Sequence, residues 1–537
     1  MTEFTRSAGP TETVDAVVVG GGHNGLVAAN LLADEGWHVL VLEAAEEPGG
    51  AVRTDEISPG YLADLCSAFY PLGGVSPVLA GLELEQHGLH WIHAPLVLAH
   101  VLPDDRAAVI SRDLEETAAS VDAFAPGDGD AWLREADRFR QVADQLLNAL
   151  FQPFPPVRAA TGLLRSLGVA DALRFARFAV QPVKQYTAET FSGEGAKVLL
   201  AGNALHTDLQ PESAASSIFG WLLAMLGQFQ GFPVPEGGAG TLTGALVSRL
   251  NAAGGQLRCN EPVDRVLVAQ GRAVGVRTAS GALIQARKAV LADVAAPHLY
   301  RELVGDRHLP PRLRDDLDRF AWDNAIIKID WALSGPVPWT AEAARRAGTV
   351  HLGVDFDGLT QYGADLARRK IPEQPFCLAG QMAVADPSRT PPGGESLWAY
   401  THVPHGHDWK PGELERHADR VQALFERHAP GFADRIVARR VLSTTDVTHG
   451  NPSLPEGSAN LGTAAIHQQL FFRPVPGLGR PDTPIDRLYL ASASAHPGGG
   501  VHGGPGSNAA KAALLRNSLG GSAYAALIRS ANRAVYR

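Results

Sequence analysis

An α/β fold built on a Rossmann-like nucleotide-binding unit is predicted by three features near the start of the chain. Asp15-Ala-Val-Val-Val-Gly20 is a short β-branched strand pattern, Gly20-x-Gly22-x-x-Gly25 is a glycine turn, and Trp37 to Leu42 is a second apolar strand ending at Glu43. Between turn and second strand a helical pattern runs from Leu26 to Glu35, with Gly36 placed to stop it. Strand, turn, helix and strand in this order make a parallel pair joined by a right-handed crossover.

Each residue of the turn has a physical task. Gly20 permits the tight turn, Gly22 lets the backbone approach a pyrophosphate, and Gly25 lets the helix lie close on the sheet. The helix N-terminus then faces the phosphates with free N–H groups and the positive end of its dipole. Glu43 follows roughly 20 residues on, where a carboxylate accepts hydrogen bonds from ribose hydroxyls and disfavours a 2′-phosphate. On these residues alone the ligand is FAD or NAD. Pro48-Gly49-Gly50-Ala-Val-Arg53-Thr54 tilts the choice to FAD, because amides at a Gly-Gly turn and a guanidinium make a second anion-binding surface. The competing account of that stretch is a surface turn with a solvated Arg.

A chain of 537 residues exceeds the roughly 250–300 residues at which single cores stop growing, so two or three connected lobes are expected. Composition is that of a globular protein, 45% hydrophobic and 19% charged, and the net charge of -10 argues against a nucleic-acid partner. Cys66, Cys259 and Cys377 are too far apart for a CxxC pair or a zinc site, so no metal is expected and a reduced, cytoplasmic setting fits. Residues 1–13 read as a loose polar tail. Ile218 to Phe229, the longest apolar stretch, falls short of the roughly 20 residues that a bilayer helix needs.

The remaining organisation follows from periodicity. Residues 114–232 turn helical, as in Ala131 to Phe151 and Thr161 to Phe178, and are expected to form a helical insertion in a substrate lobe. Short strands over 263–268, 273–277 and 282–286 suggest an antiparallel meander, Arg487 to Ala491 one more buried strand, and a helix begins near Ser507. The expected division is a discontinuous nucleotide-binding domain over 14–113, 233–297 and 442–537, the insertion over 114–232, and a mixed α+β substrate domain over 298–441.

At this point the sequence resembles the phytoene desaturase and carotenoid isomerase group of FAD-dependent oxidoreductases, within the amine-oxidase-like superfamily. The matching stretches are Val17 to Gly25, Leu42-Glu43 with Gly49-Gly50, Pro235-Glu-Gly-Gly238, the Gly255 to Val276 region, Asp386 to Gly393, and Thr483 to Leu490 running into His496-Pro-Gly-Gly-Gly500. Gln469-Leu-Phe-Phe-Arg473-Pro looks closest to the pyridine nucleotide-disulphide oxidoreductase domain-containing protein 2 branch, although no CxxC is present for a redox disulphide. The resemblance implies a glutathione-reductase-like FAD domain. Gly20, Gly22, Gly25, Glu43, Gly49, Gly50 and Arg53 would hold the adenosine diphosphate, with the Val263 backbone at the adenine. Pro497, Gly498, Gly500 and Val501 would lie against the isoalloxazine, and the helix near Ser507 would aim its N-terminus at the flavin. Many relatives carry a ribityl-binding acid after the Leu-Tyr-Leu-Ala strand, where this chain has Ser492-Ala493.

In such enzymes the flavin takes hydride from a C–H bond and the protein positions the substrate. Should a base be needed, His496, His467 and Arg473 are the candidates, against the commoner structural role of any single histidine. The expected activity is desaturase- or dehydrogenase-type oxidation of a hydrophobic, isoprenoid or lipid-like small molecule. A redox-neutral double-bond isomerase and a non-catalytic FAD-bound regulator are the alternatives. Val157 to Lys184 interleaves five basic residues with Leu and Phe, which is read first as an amphipathic helix pair packed on the body, with peripheral membrane contact as the alternative.

Overall fold

The sheet that carries the glycine turn is centred on strand Glu12–Val19 in the computed structural model, which describes residues 12–536. Of the tail expected over 1–13, residues 1–11 lie outside the described residues, whereas Glu12 and Thr13 already pair with Ile284 and Gln285. The central strand runs parallel to Val39–Leu42 on one side and to Leu283–Ala292 on the other. Gln256–Arg258 and Leu488–Leu490 add further parallel strands, and Val263–Ala269 with Arg272–Thr278 add an antiparallel edge.

Alternation along the central strand sends side chains to two cores. Ala16 and Val18 pack under helices His23–Asp34, Ala239–Ala252 and Gly504–Arg516. Val17 and Val19 face Leu299, Tyr300 and Leu313. Each fully buried Val or Leu contributes about 1.5–3 kcal/mol, so the unit is held from both faces.

The strand expected over 282–286 is longer than the pattern suggests. Its second half, Ala289 to Ala292, is the parallel neighbour of Ala16 to Val19. Lys288-Ala-Val-Leu-Ala lacks alternation because a parallel strand is buried on both faces, which hides it from period-2 analysis.

A second seven-stranded sheet has the order Ile436–Leu442, Ala325–Leu333, Glu395–Val403, Cys377–Gln381, Ala347–Leu352, Leu96–Val101, Ala107–Ile110. The expected boundary at 113 is therefore misplaced, since Leu96–Val101 pairs in parallel with Ala347–Leu352 and both early strands belong to this sheet. Helix Glu413–His428 covers its outer face through Ala418, Val421, Leu424 and Phe425. Register brings Lys328, Tyr400, Leu378, His351 and His100 into one row on the opposite face. Residues 114–230 fold as six helices, from Leu114–Asp122 to Ser216–Gln230, around Trp132 and Trp221. Among the described residues no helix is long and apolar enough to cross a membrane.

One buried ion pair ties these parts together. The Arg389 guanidinium, fully buried, donates to Asp64 at 2.7 Å. Asp64 also accepts from the Thr54 hydroxyl at 2.7 Å and from Ala239 N at 2.8 Å, while Asp386 accepts from Gly237 N at 2.7 Å. Arg389→Met leaves the Asp64 carboxylate uncompensated and should destabilise the fold by about 3–5 kcal/mol. The check is the urea midpoint, and an unchanged midpoint would show that the pair ties nothing.

Candidate cofactor and substrate site

The glycine turn forms the floor of a cleft of about 490 Å³ at the carboxyl ends of the parallel strands, where open α/β sheets bind ligands. Gly20 has φ +95°, a left-handed conformation that side chains rarely adopt. A β-carbon on Gly22 would stand 2.5 Å from Asp293 Oδ2, and one on Gly25 only 2.3 Å from the Gly20 carbonyl oxygen. Gly49 N donates to Gly21 O at 2.8 Å, which folds the second glycine turn onto the first. Gly50 and Arg53 thereby enter the cleft lining beside Gly20 and Gly22. Arg53 donates weakly to Gly450 O at 3.4 Å, and its buried Nε has no partner.

Glu43 lies at one end of the cleft with Pro262 and Val263. Its Oε2 accepts from Gly21 N at 2.7 Å and its Oε1 from Ala45 N at 2.8 Å. Two backbone amides therefore fix the carboxylate plane, leaving the second lone pair of each oxygen for other donors.

Asp293 escapes sequence reasoning. Its Oδ2 accepts from Gly25 N at 2.8 Å, and burial, the main cause, with Glu43 nearby, raises its pKa to about 7. The signal that could have found it is its place directly after Val290-Leu-Ala292, at the end of the neighbouring parallel strand.

A second, smaller cavity is lined by the apolar Leu72, Leu150, Phe219, Leu222 and Leu223 and by Pro497, Gly499, His502, Asn460, Gln469 and Arg473. Gly498 and Gly500 adopt φ of +114° and +103° in this loop, followed by Val501. The expected helix begins at Gly504 rather than Ser507, with Gly503 as its N-cap. His502 Nδ1 accepts from Gly504 N at 3.0 Å, which leaves Nε2–H to donate to Gly499 O at 3.3 Å. Burial lowers its pKa to about 3, so the ring is neutral.

The three candidate bases are placed otherwise than a proton acceptor requires. His496 turns toward Phe154 of the helical insertion, with ring centroids 6.0 Å apart, and is absent from both cavity linings. His467 is exposed at the surface. Arg473 does reach the second cavity, but it is a clamp: its guanidinium donates to Ala493 O, Thr463 O and Asn460 O, each at 2.9 Å. Asp323 holds the same loop from the other side, accepting from Asn460 N at 2.8 Å, Gly462 N at 3.1 Å and the Ser458 hydroxyl.

The raised pKa of Asp293 has a measurable sign. A carboxyl whose folded-state pKa lies above its unfolded value of about 4 destabilises the fold increasingly as pH climbs from about 4 to about 7, and by a constant amount above. Asp293→Asn keeps an acceptor for Gly25 N and removes the charge. Its thermal stability relative to wild type should therefore be higher at pH 8 than at pH 5, and an equal difference at both values would refute the assignment.

The profile described as flavin containing amine oxidoreductase matches residues 25–513. The chain is similar to pyridine nucleotide-disulfide oxidoreductase domain-containing protein 2 of Mus musculus, 28% identical over 92% of each chain. It is also similar to a phytoene desaturase (lycopene-forming) of Pseudescherichia vulneris, 26% identical over 94% of this chain and 99% of the other. Among solved structures, cyclohexylamine oxidase from Brevibacterium oxydans shares the fold with a TM-score of 0.57 at 18% identity, covering 94% of this chain and 99% of that one. The chain belongs to the flavin containing amine oxidoreductase family and is an FAD-dependent oxidoreductase.

Proposed function

We propose that the protein uses FAD to oxidise a hydrophobic, isoprenoid- or lipid-like substrate at a C–H bond. The observation that carries this reading is the apolar wall of the second cavity, Leu72, Leu150, Phe219, Leu222 and Leu223, set against the Pro497 to Gly499 loop. A largely apolar cavity with a few polar groups selects a hydrophobic ligand and orients it. The similarity to phytoene desaturases supports the same substrate class.

The cleft residues suit FAD. Glu43 and Val263 would take the adenosine end, and Gly20, Gly22, Gly25, Gly49, Gly50 and Arg53 the pyrophosphate, where a helix N-terminus and an unpartnered guanidinium nitrogen meet. Pro497, Gly498, Gly500 and Val501 would support the isoalloxazine. Helix Gly504–Arg516 would present its N-terminus to the ring, worth about 0.3–2 kcal/mol for a nearby negative charge. When bound, FAD supplies the hydride acceptor. The apolar wall excludes water and sets the substrate's distance from the loop. Arg473 and neutral His502, the titratable side chains of this cavity, are held by backbone groups and carry no proton in the step.

A surface observation favours membrane collection of that substrate. Helix Val157–Val180, interrupted at Gly168, leaves Val157, Val169, Leu173 and Val180 at 62, 69, 68 and 58% exposure. Arg158, Arg165 and Arg174 are exposed on the same segment. Exposed apolar residues with nearby cations suit an anionic lipid surface.

Purified protein should show flavin bands near ~450 nm and release FAD on heating; a colourless protein that FAD fails to reconstitute would end the proposal. Arg53→Ala should weaken FAD binding about tenfold or more, the loss of a charge-assisted hydrogen bond. Leu222→Lys should keep the flavin content of wild type and abolish anaerobic flavin reduction by polyene or prenyl substrates. Retained reduction would remove the apolar cavity from the mechanism. Co-sedimentation with phosphatidylserine vesicles should be lost in Val169→Glu/Leu173→Glu, and a wild type that stays in the supernatant would eliminate the membrane reading.

A further inference from the structure

Residues 466–471 invert the usual rule of burial. Ile466, Leu470 and Phe471 are exposed, whereas Gln468 and Gln469 between them are buried, each at 5% exposure. A buried carboxamide without a partner forfeits the hydrogen bonds that water would give it. Gln468 is compensated, since its Oε1 accepts from Ala321 N at 2.9 Å and its Nε2 donates to Ala321 O at 2.8 Å. The Gln469 carboxamide has no partner among the described residues, yet its Oε1 and Nε2 both keep accessible surface, and the residue lines the second cavity. Its Oε1 stands 3.6 Å from where a β-carbon on Gly498 would lie, beside the loop assigned to the flavin.

The other lining residues decide which ligand group suits this amide. Arg473 is the charged side chain of the lining. Its Nε donates to Ala493 O, its Nη1 to Thr463 O and Gly462 O, and its Nη2 to Ala493 O and Asn460 O. Every N–H is committed, which leaves none for a carboxylate, and the positive charge disfavours an ammonium. His502 has both ring nitrogens engaged, and the Thr207 hydroxyl donates to Ala204 O at 2.8 Å. Asn460 Oδ1, 2.5 Å from where a β-carbon on Gly499 would lie, can only accept. A charged ligand group would thus be desolvated here without a partner. A pure hydrocarbon would leave the Gln469 amide unpaired. An uncharged oxygen avoids both penalties, because the amide presents a donor and an acceptor.

We infer that the substrate carries an uncharged oxygen function, a hydroxyl or a carbonyl, on its apolar chain, and that the Gln469 carboxamide hydrogen-bonds this oxygen and selects the substrate over a pure hydrocarbon. The inference rests on a hydrophobic substrate being oxidised from this cavity, as proposed above.

The test uses FAD-loaded protein and prenyl compounds of one chain length that end in methyl, hydroxyl, aldehyde, carboxylate or ammonium. Dissociation constants are taken from the concentration dependence of anaerobic flavin reduction. Wild type should bind the hydroxyl and aldehyde compounds about tenfold more tightly than the methyl compound, the scale of one hydrogen bond, and the carboxylate and ammonium compounds more weakly than either. Gln469→Leu should bind the hydroxyl and aldehyde compounds about tenfold more weakly than wild type does, lose no affinity for the methyl compound and retain its FAD. Gln469→Met serves if the Leu variant fails to fold. A methyl compound bound by wild type as tightly as the hydroxyl one, a preference that survives Gln469→Leu, or weaker FAD binding by a folded variant would overturn the contact with substrate. A wild type whose flavin no member of the series reduces would instead overturn the substrate reading on which the contact rests.

Discussion

Only hydrogen fits on Gly25, where a β-carbon would stand 2.3 Å from the Gly20 carbonyl oxygen, and the rest of the cleft depends on that contact. It lets the first helix settle on the end of the central strand, with Asp293 accepting from the Gly25 amide. The same closeness recurs where helix Gly504–Arg516 crosses the first, since a β-carbon on Gly506 would lie 2.0 Å from the Asn24 carbonyl oxygen. Two helix N-termini thus pack against each other at Gly506 and Asn24. The dipole and free amides of helix His23–Asp34 favour negative charge in the cleft before any side chain is counted.

Around this point the molecule uses paired charges as ties between segments distant in the chain. Asp323 collects the amides of the loop over 458–462, and Arg473 collects its carbonyls together with that of Ala493. The loop therefore has one conformation to offer the second cavity, which Asn460 and Gly462 line. On the second sheet, Lys328 and Asp330 form a fully buried ion pair that Arg440 extends toward the surface. Such pairs add little net stability against apolar replacements, but breaking one is costly, so they specify arrangement more than they strengthen it.

The inner face of the second sheet is more polar than its outer one. His351 Nε2 lies 2.9 Å from His206 Nε2 of the helical insertion, with His100 edge-on to His351. Burial lowers the pKa of His206 to about 3 and that of His100 to about 4. Neutral rings let one imidazole donate to the next without a buried charge. Gly202 makes the approach possible, because a β-carbon there would meet His351 Nδ1 at 2.4 Å.

Much of the cleft was legible in the sequence because its parts are local. The Gly20, Gly22 and Gly25 turn, the helix after it, Glu43 and the Gly49-Gly50 element lie within a few dozen residues, and strand and helix periods order them without outside help. The helical insertion was legible for the same reason, its apolar spacing being that of helices packed on one face. What lay beyond sequence reasoning is long-range. Asp293 reaches Gly25 only through the parallel pairing of Leu283–Ala292 with Glu12–Val19, and the early strand Leu96–Val101 joins the second sheet only by pairing with Ala347–Leu352. His496, His467 and Arg473 have similar standing as letters, yet packing turns one toward Phe154, exposes another, and buries the third as a backbone clamp. The sequence by itself determined the class of fold and the chemistry of the nucleotide turn, since glycine sterics and residue period act over short spans. Which polar groups face the cleft was decided only by tertiary structure, because burial and hydrogen-bond partners come from segments far apart in the chain.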